Sequence, residues 1–137
     1  MMHIHLIIIG IIFIVLALIH SIFPKYFEWE KEFKSLSLIN RQIMKVHTIF
    51  IALTVFLMGL LLFTSSDELV KTNLGNKIIL GLAIFWSFRL IIQFFGYSSK
   101  LWKGKLFETT VHIIFSLLFI YISFMFWIIY FCRDAYY

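Results

Sequence analysis

Four long runs of apolar residues, separated by three short polar connections, organise this chain. A helix needs roughly 20 mostly apolar residues to cross a hydrocarbon core about 30 Å thick. Four stretches meet that requirement, from about Ile4 to Phe23, Ile43 to Phe63, Ile78 to Tyr97 and Thr110 to Phe131. Each is apolar nearly all round, the pattern of a helix whose surface mostly meets lipid. Pro24 is expected to end the first, and Asn40 stands where it would cap the second. The expected fold is all-α: an antiparallel four-transmembrane-helix bundle, one integral membrane domain over residues 1–137. No Lys or Arg precedes the first run, and no clear small-x-small cleavage site follows it. A retained helix is therefore expected rather than a cleaved leader.

The first connection has a pattern of its own. Tyr26, Trp29, Phe33 and Leu36 recur at helical spacing, while Glu28, Lys31, Glu32 and Lys34 largely take the other side. This predicts an amphipathic helix lying in the membrane interface, an anchor or a lid over a pocket.

Composition confirms the class. Hydrophobic residues make up 62% and charged residues only 14% of the chain, whereas a soluble domain carries about 25% charged residues. A soluble enzyme, a disordered tail, a disulfide scaffold and a collagen-like rod are excluded. Cys132 is the one cysteine, so neither an intramolecular disulfide nor a C-x-x-C centre can form within the chain.

Charge adds orientation. Lys25, Lys31, Lys34, Arg41 and Lys45 lie around the first connection, and Lys100, Lys103 and Lys105 on the third. Lys71, Lys77 and Arg133 are the cations of the opposite side. Cationic loops stay in the cytoplasm, so both termini are expected outside a membrane, the bacterial cytoplasmic membrane being the expected one. The net charge of +5 is read as this bias. No soluble segment interleaves basic runs with aromatics, and nucleic acid is not an expected partner.

Ionisable groups inside spans are costly and are functional candidates. Here they are His20, His47, Arg89 and His112, with the polar Gln93 beside them. His3 and His5 fall at the outer mouth, in water. The expected topology places the three histidines and Gln93 roughly 4–8 Å inside the cytoplasmic boundary, with Arg89 about 12 Å inside. Trp86, Arg89, Gln93 and Gly96 form one stripe; His112, Ser116, Ser123, Trp127 and Tyr130 form another. His47 shares a face with Thr54, and Gly10, Ala17 and His20 form a stripe whose small residues admit a close neighbour. These stripes are expected to face inward.

Three readings follow. His20, His47 and His112 would ligate haem iron or a transition metal, with Arg89 on a propionate or substrate anion. Alternatively, Arg89 and Gln93 would hold the head of a lipid, quinone or other amphiphile while Trp86 packs its apolar body. In the third, the chain is a non-catalytic subunit or scaffold, meeting other membrane subunits or further copies of itself. Bland roles stand beside each: a histidine bonded to a carbonyl of its own helix, and an arginine snorkelling to the interface or pairing with Glu28 or Glu30. A dual-topology exporter, a channel and an intramembrane serine protease fit poorly, because buried acids, a continuous polar face and a Ser–His pair on a Gly-rich loop are missing.

The charge bias predicts that a periplasmic alkaline phosphatase reporter is active when fused at either terminus and inactive when inserted beside Lys103. Activity at Lys103 would reverse the orientation.

Overall fold

The computed structural model describes residues 1–133, and every regular element among them is helical. Four helices are long and apolar enough to cross a membrane: α1 (Met2–Tyr26), α3 (Leu38–Thr64), α5 (Asn73–Phe95) and α6 (Leu106–Cys132). Short helices α2 (Trp29–Glu32) and α4 (Ser66–Lys71) lie in the first and second connections. The protein is a small integral membrane protein. Its surface says so independently: Ile4, Ile8, Ile11, Val15, Leu18 and Ile22 of α1 are exposed at helical spacing. Water would not tolerate that row, and acyl chains solvate it at no cost.

The helices outrun the predicted spans. A 27-residue helix such as α3 or α6 measures about 40 Å, against a hydrocarbon core of about 30 Å. The added turns of α3 and α5 carry polar residues such as Asn40, Arg41, Asn76 and Lys77 that end a hydropathy run, and side-chain caps mark where these two helices begin. Ser37, not Asn40, caps α3, its Oγ accepting from the Asn40 amide at 3.4 Å. Thr72 caps α5 by accepting from the Gly75 amide at 2.9 Å.

Pro24 does not end α1, which continues to Tyr26. Proline deletes one hydrogen bond, the one to the His20 carbonyl, and in the last turn that loss is small. The break comes at Glu28, whose φ of 49° is left-handed. The predicted amphipathic helix is accordingly shorter: α2 covers only Trp29–Glu32, followed by a 3-10 turn at Phe33–Ser35. Tyr26 belongs to α1 instead.

The chain divides into two compact units, residues 3–66 and the part from Asp67 onward. In the first, α1 and α3 run antiparallel and meet where Gly10 faces Gly59. A Cβ on Gly10 would stand 2.9 Å from the Gly59 carbonyl oxygen, and one on Gly59 would stand 2.8 Å from that of Gly10. Between spans, where lipid removes the hydrophobic drive for association, such backbone contact is a principal source of packing energy. Leu6, Ile9, Phe13 and Leu62 fill the space around it, fully buried.

In the second unit α5 and α6 form an antiparallel hairpin. Ile79, Leu82, Ala83 and Trp86 of α5 are buried, as are Phe119, Ile122, Phe126 and Ile129 of α6. At the end near α4, Arg133 Nη2 donates to the Lys71 carbonyl at 3.1 Å and to Asn73 Oδ1 at 3.3 Å. That fastens the last turn of α6 to the start of α5.

Gly10→Val and Gly59→Val are each expected to destabilise the protein by about 1–3 kcal/mol through overpacking, measured by unfolding in mixed micelles. Gly81, where a Cβ would meet nothing within 4 Å, provides the control: Gly81→Ala leaves the midpoint unchanged or raises it.

Candidate functional site

The second unit joins three of the sequence-predicted residues. Arg89 and Gln93 stand one turn apart on α5, and Arg89 Nη1 donates to Gln93 Oε1 at 3.2 Å. Gln93 is buried and places Nε2 3.0 Å from Nδ1 of His112 on α6. The orientation of this row follows from Arg89. A guanidinium only donates, so the amide must turn its oxygen toward Arg89 and its NH₂ toward His112. His112 Nδ1 therefore accepts, and the ring proton sits on Nε2. A proton on Nδ1 would set donor against donor and break the link.

Aromatic rings close the row. The Arg89 guanidinium lies over Phe119, 4.5 Å from its centroid, with Tyr97 at 6.0 Å. Trp86 packs against the same Phe119, with centroids 5.6 Å apart. Such a cation–π contact is worth about 0.5–2 kcal/mol, more as water is excluded. Trp102, in the connection between α5 and α6, stacks flat on His112 at 3.9 Å and 8°. Two features hold it there: Thr109 Oγ1 donates to the Trp102 carbonyl at 2.6 Å, and Gly104 takes a φ of +80° that turns the chain back into α6. Within this unit, among the described residues, no carboxylate lies within ion-pair distance of Arg89.

His20 and His47 belong to the first unit. Each ring fastens Nδ1 to the carbonyl one turn back: Leu16 at 2.7 Å for His20, Ile43 at 3.0 Å for His47. With Nδ1 donating, each keeps its Nε2 lone pair. His20 is half-buried beside a cavity, whereas His47 and Thr54 are exposed, so the expected inward stripe on α3 is not formed by these two. Glu28, one expected partner for Arg89, pairs with Lys31 at 3.0 Å.

Among the described residues no three His, Cys, Asp or Glu side chains gather to hold a metal ion. Ligand chemistry differs between the histidines. His112 has its Nδ1 lone pair engaged and its Nε2 protonated, so it offers a donor; His20 and His47 offer acceptors.

Trp102, Tyr97, Phe119 and Ser87 were not among the predicted residues. Phe119 continues the His112 and Ser116 stripe at helical spacing, a signal present in the sequence. Ser87 accepts from Trp127 Nε1 at 2.9 Å and donates to the Ala83 carbonyl. Trp102 carries no periodic signal, because a turn places it. Comparison with protein-family models, curated proteins and solved structures returned no match.

The row predicts the tautomer of His112 with the proton on Nε2, visible in its side-chain 15N shifts. Gln93→Leu removes the donor to Nδ1 and is expected to move those shifts toward a mixture of tautomers.

Proposed function

We propose that the α5–α6 hairpin binds an amphiphile through an anionic or carbonyl head. Arg89 is the principal contact, His112 Nε2–H a second donor, and Gln93 the group that positions both. The observation supporting this reading is the charge on Arg89, which sits about 9 Å inside the C-terminal end of α5 with a neutral amide and aromatic faces around it. A charge at the centre of a span costs about 2.5–3.5 kcal/mol on insertion scales, and less toward its end. Phe119 and Gln93 offset part of that. Gln93 takes up one guanidinium N–H, and the others suit the planar fork of a carboxylate or the oxygens of a phosphate or quinone. Trp86 and neighbouring phenylalanines match the apolar body. By the charge bias of the connections, this site lies in the cytoplasmic half of the membrane.

The test uses purified protein in mild detergent, with oleate as the carboxylate probe and a short-tailed quinone as the carbonyl probe. Parent protein is expected to retain one of them. Arg89→Leu inserts normally and binds roughly 10–100-fold more weakly, the loss typical of a charge-assisted hydrogen bond. Equal binding by parent and Arg89→Leu, or no binding of either probe by the parent, overturns the proposal. A Soret band or stoichiometric bound metal in the same sample assigns the protein to cofactor chemistry instead.

A further inference from the structure

The first unit holds a separate feature, at the end of the α1–α3 hairpin that carries the basic connection. There the two helices and α2 line an open cavity of about 730 Å3, within the range of small-molecule sites. Its walls change character with depth. Near the connection stand Lys25, Lys45, Trp29 and Glu30; half-buried His20 lies further along, and Ile49 and Ala52 form the apolar inner wall. Ala52 lies seven residues beyond Lys45 along α3, about 10 Å deeper. A polar mouth above an apolar wall, on a helix pair whose outer faces are apolar, fits a molecule with a charged head and a hydrocarbon body.

The polar groups specify the head. Among the described residues Lys25 and Lys45 have no carboxylate within ion-pair distance, whereas Lys31 is taken up by Glu28. A smaller adjoining cavity shares the Trp29, Glu30 and Lys45 wall and is also lined by Arg41. Among the described residues Arg41 has no carboxylate within ion-pair distance. Unpaired Lys and Arg side chains beside a cavity favour a phosphate oxygen as ligand, through charge-assisted hydrogen bonds. The cavity also presents acceptors. His20 donates through Nδ1 to Leu16 and so keeps an accepting Nε2, and among the described residues Glu30 has no cation within ion-pair distance. Hydroxyl groups on the head would donate to both. The wall holds a strained residue too: Glu28, a lining residue, takes its left-handed φ without being glycine. Strained positions of this kind gather at ligand clamps.

We propose that this cavity seats the headgroup of an anionic glycerophospholipid bearing free hydroxyls. Lys25 and Lys45 serve the phosphodiester, with Arg41 beside Lys45 in the adjoining cavity, and His20 Nε2 and Glu30 accept from the hydroxyls. Trp29 caps the head at the interface, and one acyl chain follows Ile49 and Ala52. This site is independent of Arg89 and stands whether or not the α5–α6 hairpin binds an amphiphile.

The test is native mass spectrometry of delipidated full-length protein in mild detergent. It is titrated with phosphatidylglycerol, with phosphatidylcholine of the same acyl chains, and with glycerol 3-phosphate. Phosphatidylglycerol is expected to bind at least tenfold more tightly than phosphatidylcholine, and glycerol 3-phosphate to leave no adduct. Lys25→Gln/Lys45→Gln weakens phosphatidylglycerol at least tenfold; Lys25→Arg/Lys45→Arg retains it, which separates lost recognition from lost folding. Lys100→Gln/Lys103→Gln, an equal change of charge on the other basic connection, leaves binding unchanged. His20→Phe lowers affinity for phosphatidylglycerol several-fold more than for phosphatidic acid, which has no headgroup hydroxyl. Equal binding of the two diacyl lipids, equal weakening by the Lys100/Lys103 change, or tight binding of glycerol 3-phosphate overturns the proposal; the last would assign the cavity to a soluble phosphate ester.

Discussion

A single positive charge held among apolar helices governs the second half of this protein. Arg89 cannot shed its proton in any environment a protein offers, so its surroundings must accommodate the charge. Gln93 gives it an oxygen, Phe119 and Tyr97 give it ring faces, and its remaining N–H groups require further acceptors. The requirement passes onward: the amide orientation chosen by Arg89 fixes the tautomer of His112, and the flat face of His112 receives Trp102. Thus one residue of α5 sets the hydrogen-bonding state of α6 and the resting position of the connection between them.

Gly10 and Gly59 play the corresponding part in the first half. Removing two side chains lets the α1 and α3 backbones approach to contact. Away from that contact the pair, with α2, borders an open cavity lined by lysines, a histidine and a tryptophan. Close packing at one point and open space at another are both consequences of where side-chain bulk was placed.

The four spans were legible because their signal is additive: some twenty apolar residues in a row leave little ambiguity. Their ends were not, since a cap is a single hydrogen bond. Ser37 and Asn40 are both capping residue types, and only backbone geometry chose Ser37. Pro24 misled for a related reason, a helix breaker being harmless in a final turn. Within the candidate site, Arg89, Gln93 and His112 were found because polar groups in a span stand out energetically. Their aromatic neighbours did not, being indistinguishable by type from the many phenylalanines that face lipid. Trp102 depends on a glycine turn and a threonine hydroxyl, features of the folded connection rather than of any period.

The Arg89–Gln93–His112 row also bears on movement of hydrogen ions. Water files and carboxylates pass protons along because each member both takes and gives one. A primary amide does not do so readily, and here its two ends are pinned by a permanent cation and an occupied ring nitrogen. The row therefore offers a proton no ready relay through Gln93.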